Sequence, residues 1–206
     1  MSRPSILTGS LLAGVLLLSG CATTTTDPAP ATSSDPESES PAPPTEPTAA
    51  PVIDLPDCST VVPAGYDATF LGAPLNDPGL HYPDPLGVVA PSAPAAGATN
   101  DEIIEAATEL RCIWRHPDAD ISFLSVEAAR VSTEIAQERF DAVTADDYTC
   151  IDVLDGRQCK LVWTGTMYPV EEADTQFFLD GVLIRVQQAN TPTSGLMKAV
   201  VEGIWG

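Results

Sequence analysis

Residues 148–163 read Tyr148-Thr149-Cys150-Ile151-Asp152-Val153-Leu154-Asp155-Gly156-Arg157-Gln158-Cys159-Lys160-Leu161-Val162-Trp163. Asp155-Gly156 is a strong signal for a two-residue hairpin turn, and strand-forming residues flank it on both sides. A second such pair, Asp180-Gly181, stands between Phe177–Leu179 and Val182–Gln188. Tight hairpins join antiparallel strands, so the chain is read as built on an antiparallel sheet. The two cysteines test the register. A strict turn on Asp155-Gly156 sets Cys150 opposite Leu161 and Asp152 opposite Cys159. The sulfur-bearing residues are then diagonal, at about 7–8 Å, too far for a relaxed bridge. A bulge or a one-residue slip brings them opposite, so a Cys150–Cys159 bridge predicts an irregular turn.

Upstream, Thr99-Asn100-Asp101-Glu102 has the form of a capping box. A helix is expected from there to about Leu110, burying Ile103, Ala107 and Leu110, with Arg111 favoured by the C-terminal end of its dipole. Cys112–His116 and Ile121–Val126 read as strands around a turn at Pro117-Asp118-Ala119-Asp120. Ser132 is placed to cap a helix reaching Val143, with Ala136, Phe140 and Val143 on one face. Tyr148–Val153 and Gln158–Tyr168 form the next hairpin. Thr193 or Ser194 starts a last helix carrying Leu196, Val200 and Ile204. Residues 57–98 are rich in Pro and Gly and read as mostly irregular, with one helical turn near Ser59–Val62. Together these elements predict an α+β fold: an antiparallel sheet with helices packed on at least one face. At near 150 residues, 57–206 suits a single domain.

The chain carries five cysteines. Cys58, Cys112, Cys150 and Cys159 form an even set in what reads as an exported chain, which points to two disulfides. Three connectivities exist; the hairpin favours Cys150–Cys159, leaving Cys58–Cys112. A metal site is the other use of such residues. There is no C-x-x-C spacing, and only His81 and His116 are available to help, so no metal is expected.

The fifth cysteine has a different setting. Arg3 is followed by an uncharged apolar run from Ile6 to Leu18, too short to span a bilayer and of signal-peptide length. It ends in Leu18-Ser19-Gly20-Cys21, which closely resembles the lipobox of bacterial lipoproteins. The resemblance implies that residues 1–20 are a signal peptide removed before Cys21. It further implies that the Cys21 thiol carries a diacylglycerol and that acyl chains such as palmitate hold the protein in a membrane. Localisation at the outer face of the cytoplasmic membrane follows from it. From Ala22 to Pro56 the chain is Thr, Pro, Ser, Ala and Glu, with nine of its 20 prolines. Such a stretch cannot bury a core and reads as a disordered, semi-rigid spacer whose limit is on the order of 100 Å.

Nine Lys and Arg against 29 Asp and Glu give a formal charge of −20. That excludes nucleic acid as an expected partner and suits a solvated extracytoplasmic surface. The scarcity of lysine beside abundant Ala, Thr and Asp resembles the composition of GC-rich actinobacterial proteins. Asp57-Cys58, then Cys112-Ile113-Trp114 after a helix, then a cysteine-bearing sheet closing on an amphipathic helix is similar to actinobacterial surface lipoproteins of the DUF3558 type. That similarity implies a Mog1/PsbP-like α-β-α sandwich acting as a binding or accessory domain, and it carries over no functional residue.

Catalytic patterns are sparse. No G-x-S-x-G, Walker loop, Rossmann fingerprint or H-E-x-x-H occurs, so no cofactor is expected. His81 and His116 are the only histidines and sit at a Pro/Gly-rich loop and a hairpin end. Carboxylate pairs that serve glycoside hydrolysis could be drawn from Asp118 with Asp120, Asp146 with Asp147, or Glu171 with Glu172 and Asp174. All of these are expected in turns or helix ends, where acids are ordinarily solvated. Asp118-x-Asp120 departs from a calcium loop at Ile121 and Ser122. Trp114 and Trp163 fall on expected strands and are read as core. No catalytic residue is assigned. The chain reads as a non-catalytic surface module for an envelope protein, a polymer or a small ligand, with an acid-dependent extracytoplasmic hydrolase as the alternative. The lipobox makes a direct prediction: Cys21→Ser abolishes labelling by radioactive palmitate and moves the protein from the membrane fraction to the medium. Retention of the variant in membranes would sink the anchor.

Overall fold

The structure, a computed structural model, describes residues 53–63, 66, 72–191 and 193–206. The signal segment, Cys21 and the linker up to residue 52 lie outside the described residues. In chain order the elements are β1 (Gly87–Val88), α1 (Asn100–Ala106), β2 (Thr108–Trp114), β3 (Phe123–Arg130), α2 (Thr133–Ala145), β4 (Thr149–Val153), β5 (Gly156–Thr164), β6 (Glu171–Leu179), β7 (Val182–Ala189) and α3 (Leu196–Trp205). The seven strands form one antiparallel sheet in the order β1-β2-β3-β7-β6-β5-β4. The fold is α+β.

The two Asp-Gly signals are used differently. Asp180 and Gly181, at φ 48° and 81°, are the central residues of the β6–β7 turn, with Leu179 opposite Val182. That is the expected two-residue hairpin. At the other, the turn is centred one residue earlier, on Leu154 and Asp155 at φ 54° and 61°, and Val153 pairs with Gly156. Cys150 therefore lies directly opposite Cys159 with Cα atoms 4.0 Å apart, and the two are bonded. The slip occurs, but the irregular turn expected with it does not: the ladder is regular up to a two-residue turn. The reason is the packing of β6 against Gly156. A Cβ there would meet Phe177 Cζ and the Phe178 carbonyl oxygen, each at 2.5 Å. The glycine is needed for close approach, and a leucine takes the left-handed position instead, at a strain of roughly 1–2 kcal/mol. Leu154 offsets it by packing against the main core.

Further upstream the sequence reading needs correction. The Thr99 capping box forms as expected: the Thr99 N–H donates to Glu102 Oε2 (2.7 Å), and the Glu102 N–H to Thr99 Oγ1 (3.3 Å). Yet α1 ends at Ala106 and buries none of its residues fully. Leu110 belongs to β2, where it is fully buried, and Arg111 lies in that strand and not at a helix end. The period-two set Leu110, Cys112 and Trp114 faces one core, and this alternation outweighs the helical spacing of Ile103, Ala107 and Leu110. Ser132 caps α2, and Ala136, Phe140 and Val143 are its buried residues, as expected. The third helix is entered through Gly195 at φ 75°, which glycine alone tolerates without strain, so neither Thr193 nor Ser194 caps it with a side chain.

Two cores result. The larger joins Leu110, Cys112, Val126, Ile184 and Phe177 of the sheet to Leu196, Val200 and Ile204 of α3. The turn at residues 57–62 closes it, bonded to β2 through Cys58–Cys112 (Cα–Cα 5.4 Å). The smaller sets Phe140 and Val143 of α2 against Cys159 and Leu183 on the other face. Helices thus cover both faces. Trp114 is core, whereas Trp163 is 38 % exposed near the end of β5, against the expectation of burial. Gly156→Ala should lower stability by about 2 kcal/mol, the scale of overpacking in a filled site. Urea unfolding measures it, and an unchanged midpoint would contradict the close approach.

Candidate functional site

Strand alternation gives the face under α1 and α2 a character of its own. Arg111 in β2 is opposite Glu127 in β3, Glu127 opposite Arg185 in β7, and Arg185 opposite Gln176 in β6. A polar row thus crosses four strands, while the residues either side in each strand point into the larger core. Opposite charges at facing positions support the pairing. Arg111 Nε donates to Glu127 Oε1 (3.0 Å), Nη2 pairs with Glu105 of α1, and Nη1 donates to the Pro85 carbonyl (3.4 Å).

At the other end of the row lies Asp174, with a side chain only 2 % exposed. Arg185 Nε donates to its Oδ2 (2.7 Å), Gln187 Nε2 to the same oxygen (3.3 Å), and Gln176 Nε2 to Oδ1 (3.1 Å). A carboxylate so far from water is tolerated only with such compensation. Burial acts against the charge of Arg185, but the adjacent Asp174 carboxylate, joined by Glu127, outweighs it and holds the guanidinium pKa above its ordinary value. Gln176 then passes the network outward: its Oε1 accepts from Arg139 Nε of α2 (2.9 Å), and Arg139 Nη1 donates to Asp101 of α1 (2.7 Å).

Over this row opens a cleft of about 720 Å³. Its floor is Arg111, Glu127, Arg185 and Gln176 with Ala129 and Leu183. Its walls are α1, Arg139 and the segments around Asp84-Pro85 and Val89–Ser92. The volume lies in the range of small-molecule sites. Three of the chain's seven arginines line it. Among the described residues, Arg185 Nη1 and Arg139 Nη2 have no hydrogen-bond partner. The cleft therefore offers two guanidinium edges already fixed by carboxylate and amide partners, beside apolar side chains of Val89 and Ile104 in the wall and Leu183 in the floor. Tyr82 lies nearby; burial, then the Glu127 charge, raises its phenol pKa.

Most residues singled out in the sequence lie elsewhere. His81 is exposed ahead of β1. His116 is exposed beyond β2, beside a pocket of about 200 Å³ that has no carboxylate in its lining. Asp118, Asp120, Asp146 and Asp147 are exposed in turns and none lines the cleft. Glu171, Glu172 and Asp174 are not in a turn: β6 begins at Glu171 and carries all three. Among the described residues no group of three or more His, Cys, Asp and Glu side chains is placed to hold a metal ion. Glu127, Arg139 and Arg185 escaped the sequence reading, and Arg111 was read there as a helix end. For the strand residues among them the one signal is a polar side chain at alternate positions of an otherwise buried strand, as at Arg185 and Gln187 between Ile184, Val186 and Gln188. Comparison of the chain with protein families, with characterised proteins and with solved structures yields no match.

Asp174→Ala leaves Arg185 without its carboxylate and should destabilise the fold by about 2–3 kcal/mol, moderated by water reaching the guanidinium; a shift below a quarter of that in urea unfolding would deny the network its role. The wall of the cleft has a pH signature. Hydrogen bonds from the Thr99 backbone, then its hydroxyl, lower the Glu102 pKa. The stabilisation is present above the ordinary glutamate value and is lost as pH falls through the lowered one. Thr99→Ala removes the hydroxyl and keeps the backbone N–H, so it should raise the Glu102 pKa only in part in an NMR titration, and an unaltered value would remove the hydroxyl as a contributor.

Proposed function

We propose that this protein is a lipid-anchored extracytoplasmic binding module whose small polar ligand occupies the arginine-lined cleft between α1, α2 and the sheet. Acylation at Cys21 after removal of residues 1–20 would hold it at the outer face of the cytoplasmic membrane, and the Pro-rich segment would let the domain reach outward. The lipobox-like Leu18-Ser19-Gly20-Cys21 and the charge of −20 support that setting. A relation to the DUF3558-type lipoproteins belongs to the same reading. The observation that carries the binding role is the pair of unfilled guanidinium edges of Arg139 and Arg185, held by Asp101, Gln176 and Asp174 before any ligand arrives. Groups positioned in advance lose little freedom on binding. The cleft volume favours a small ligand over an envelope protein or polymer. Glu105 and Glu127 both engage Arg111, which supports a structural use for these carboxylates over the proton transfer a hydrolase needs.

The test is a nitrogen-15 NMR screen of the protein against a panel of amino acids, short peptides and sugars. At least one member is expected to shift the amides of Ile104, Ala106, Ala129 and Leu183 in a saturable way. Ala106→Trp, which fills the cleft from α1, should abolish the effect. Binders that leave those four amides unmoved would refute the assignment.

A further inference from the structure

On the opposite face of the sheet a second cavity, of about 380 Å³, lies between the start of α3 and the outer strands. Only two lysines occur in this acidic chain, Lys160 and Lys198, and both line it. No Asp or Glu is among its lining residues. Lys160 projects from β5 directly opposite Thr175 of β6 and has no carboxylate partner among the described residues. Lys198 reaches Glu202 one turn along α3.

The helix itself starts uncapped. Its first N–H, of Leu196, donates to the Thr193 carbonyl (3.0 Å), but the N–H groups of Met197 and Lys198 have no acceptor among the described residues. Unfilled amides at a helix start carry positive partial charge and bind anions. A separate observation points to the same space. Thr175 is 9 % exposed and lines the cavity, and its hydroxyl has no hydrogen-bond partner among the described residues. The residue is nine-tenths buried and lines this cavity, so its unpartnered hydroxyl is a donor available to whatever occupies that space.

We propose that this cavity binds a small phosphate-bearing molecule, the oxyanion accepting from the amides of Met197 and Lys198, the Thr175 hydroxyl and the Lys160 ammonium. Donors arriving from a helix end and from two strands suit a tetrahedral anion better than a planar carboxylate. Val153, Leu154, Val186 and Leu196 line the rest and would face the organic part of the ligand. The site stands apart from the arginine cleft and does not depend on it.

The experiment titrates the nitrogen-15-labelled full chain with inorganic phosphate, ionic strength being held constant with sodium chloride. The Met197 and Lys198 amides should shift and saturate, with affinity in the millimolar range. Lys160→Met should weaken binding about tenfold and Thr175→Val several-fold, the loss of one charge-assisted and one neutral donor. Thr175→Val keeps the side-chain shape, so the remaining spectrum should be preserved. Amides that stay still or drift without saturation would overturn the site. So would phosphate affinity equal to the parent's in both variants. Acetate binding as tightly as phosphate would overturn the tetrahedral assignment.

Discussion

A carboxylate withdrawn from water must be neutralised where it stands, and much of one face of this fold is arranged around that requirement at Asp174. Its oxygens draw in Arg185, Gln187 and Gln176 from the two strands at the centre of the hairpin. Gln176, fixed by Asp174, presents its carbonyl to Arg139, and Arg139 in turn reaches Asp101. One buried charge therefore sets where α2 lies on the sheet and where α1 lies on α2. The cleft between them inherits its shape from that chain of contacts. Such networks specify one arrangement because any member left unpartnered is costly.

The same strands serve two unlike surfaces. In β7, Val182, Ile184 and Val186 fill the core beneath α3, while Leu183, Arg185 and Gln187 face the helical pair. Neither surface is an addition to a finished fold: strand alternation produces both at once. The Cys150–Cys159 bridge fixes the outer edge, and Gly156 lets β5 close against Phe177. The price is a leucine in a backbone region that disfavours it, held there by its own burial.

Local chemistry was legible in the sequence. The turn at Asp180-Gly181, the caps at Thr99 and Ser132, the inward face of α2 and both disulfides rest on residues close in sequence or on few alternatives. The antiparallel α+β fold followed from them. What failed was decided at a distance. Leu110 and Arg111 fit a helix by spacing, but β3 supplies a pairing partner that α1 cannot match. Asp174 looked solvated beside Glu171 and Glu172; only the convergence of Arg185, Gln176 and Gln187 makes its burial tolerable. The cleft was illegible for the same reason. Its residues come from α1, α2 and four strands, and each alone is an unremarkable polar side chain.

The bond between Cys58 and Cys112 joins positions 54 residues apart and enters the sheet in β2, next to its short edge strand β1. Just ahead of it, Arg130 of β3 donates to the Ile53 carbonyl. Tension applied to the chain before residue 53 therefore meets a hydrogen bond to one strand and then a covalent link to its neighbour. Force entering from that end passes into the sulfur bridge before it reaches the intervening residues 59–111. Part of that stretch forms one wall of the cleft, so a load applied ahead of residue 53 bypasses the wall and enters β2 at Cys112, beside Arg111 of the cleft floor.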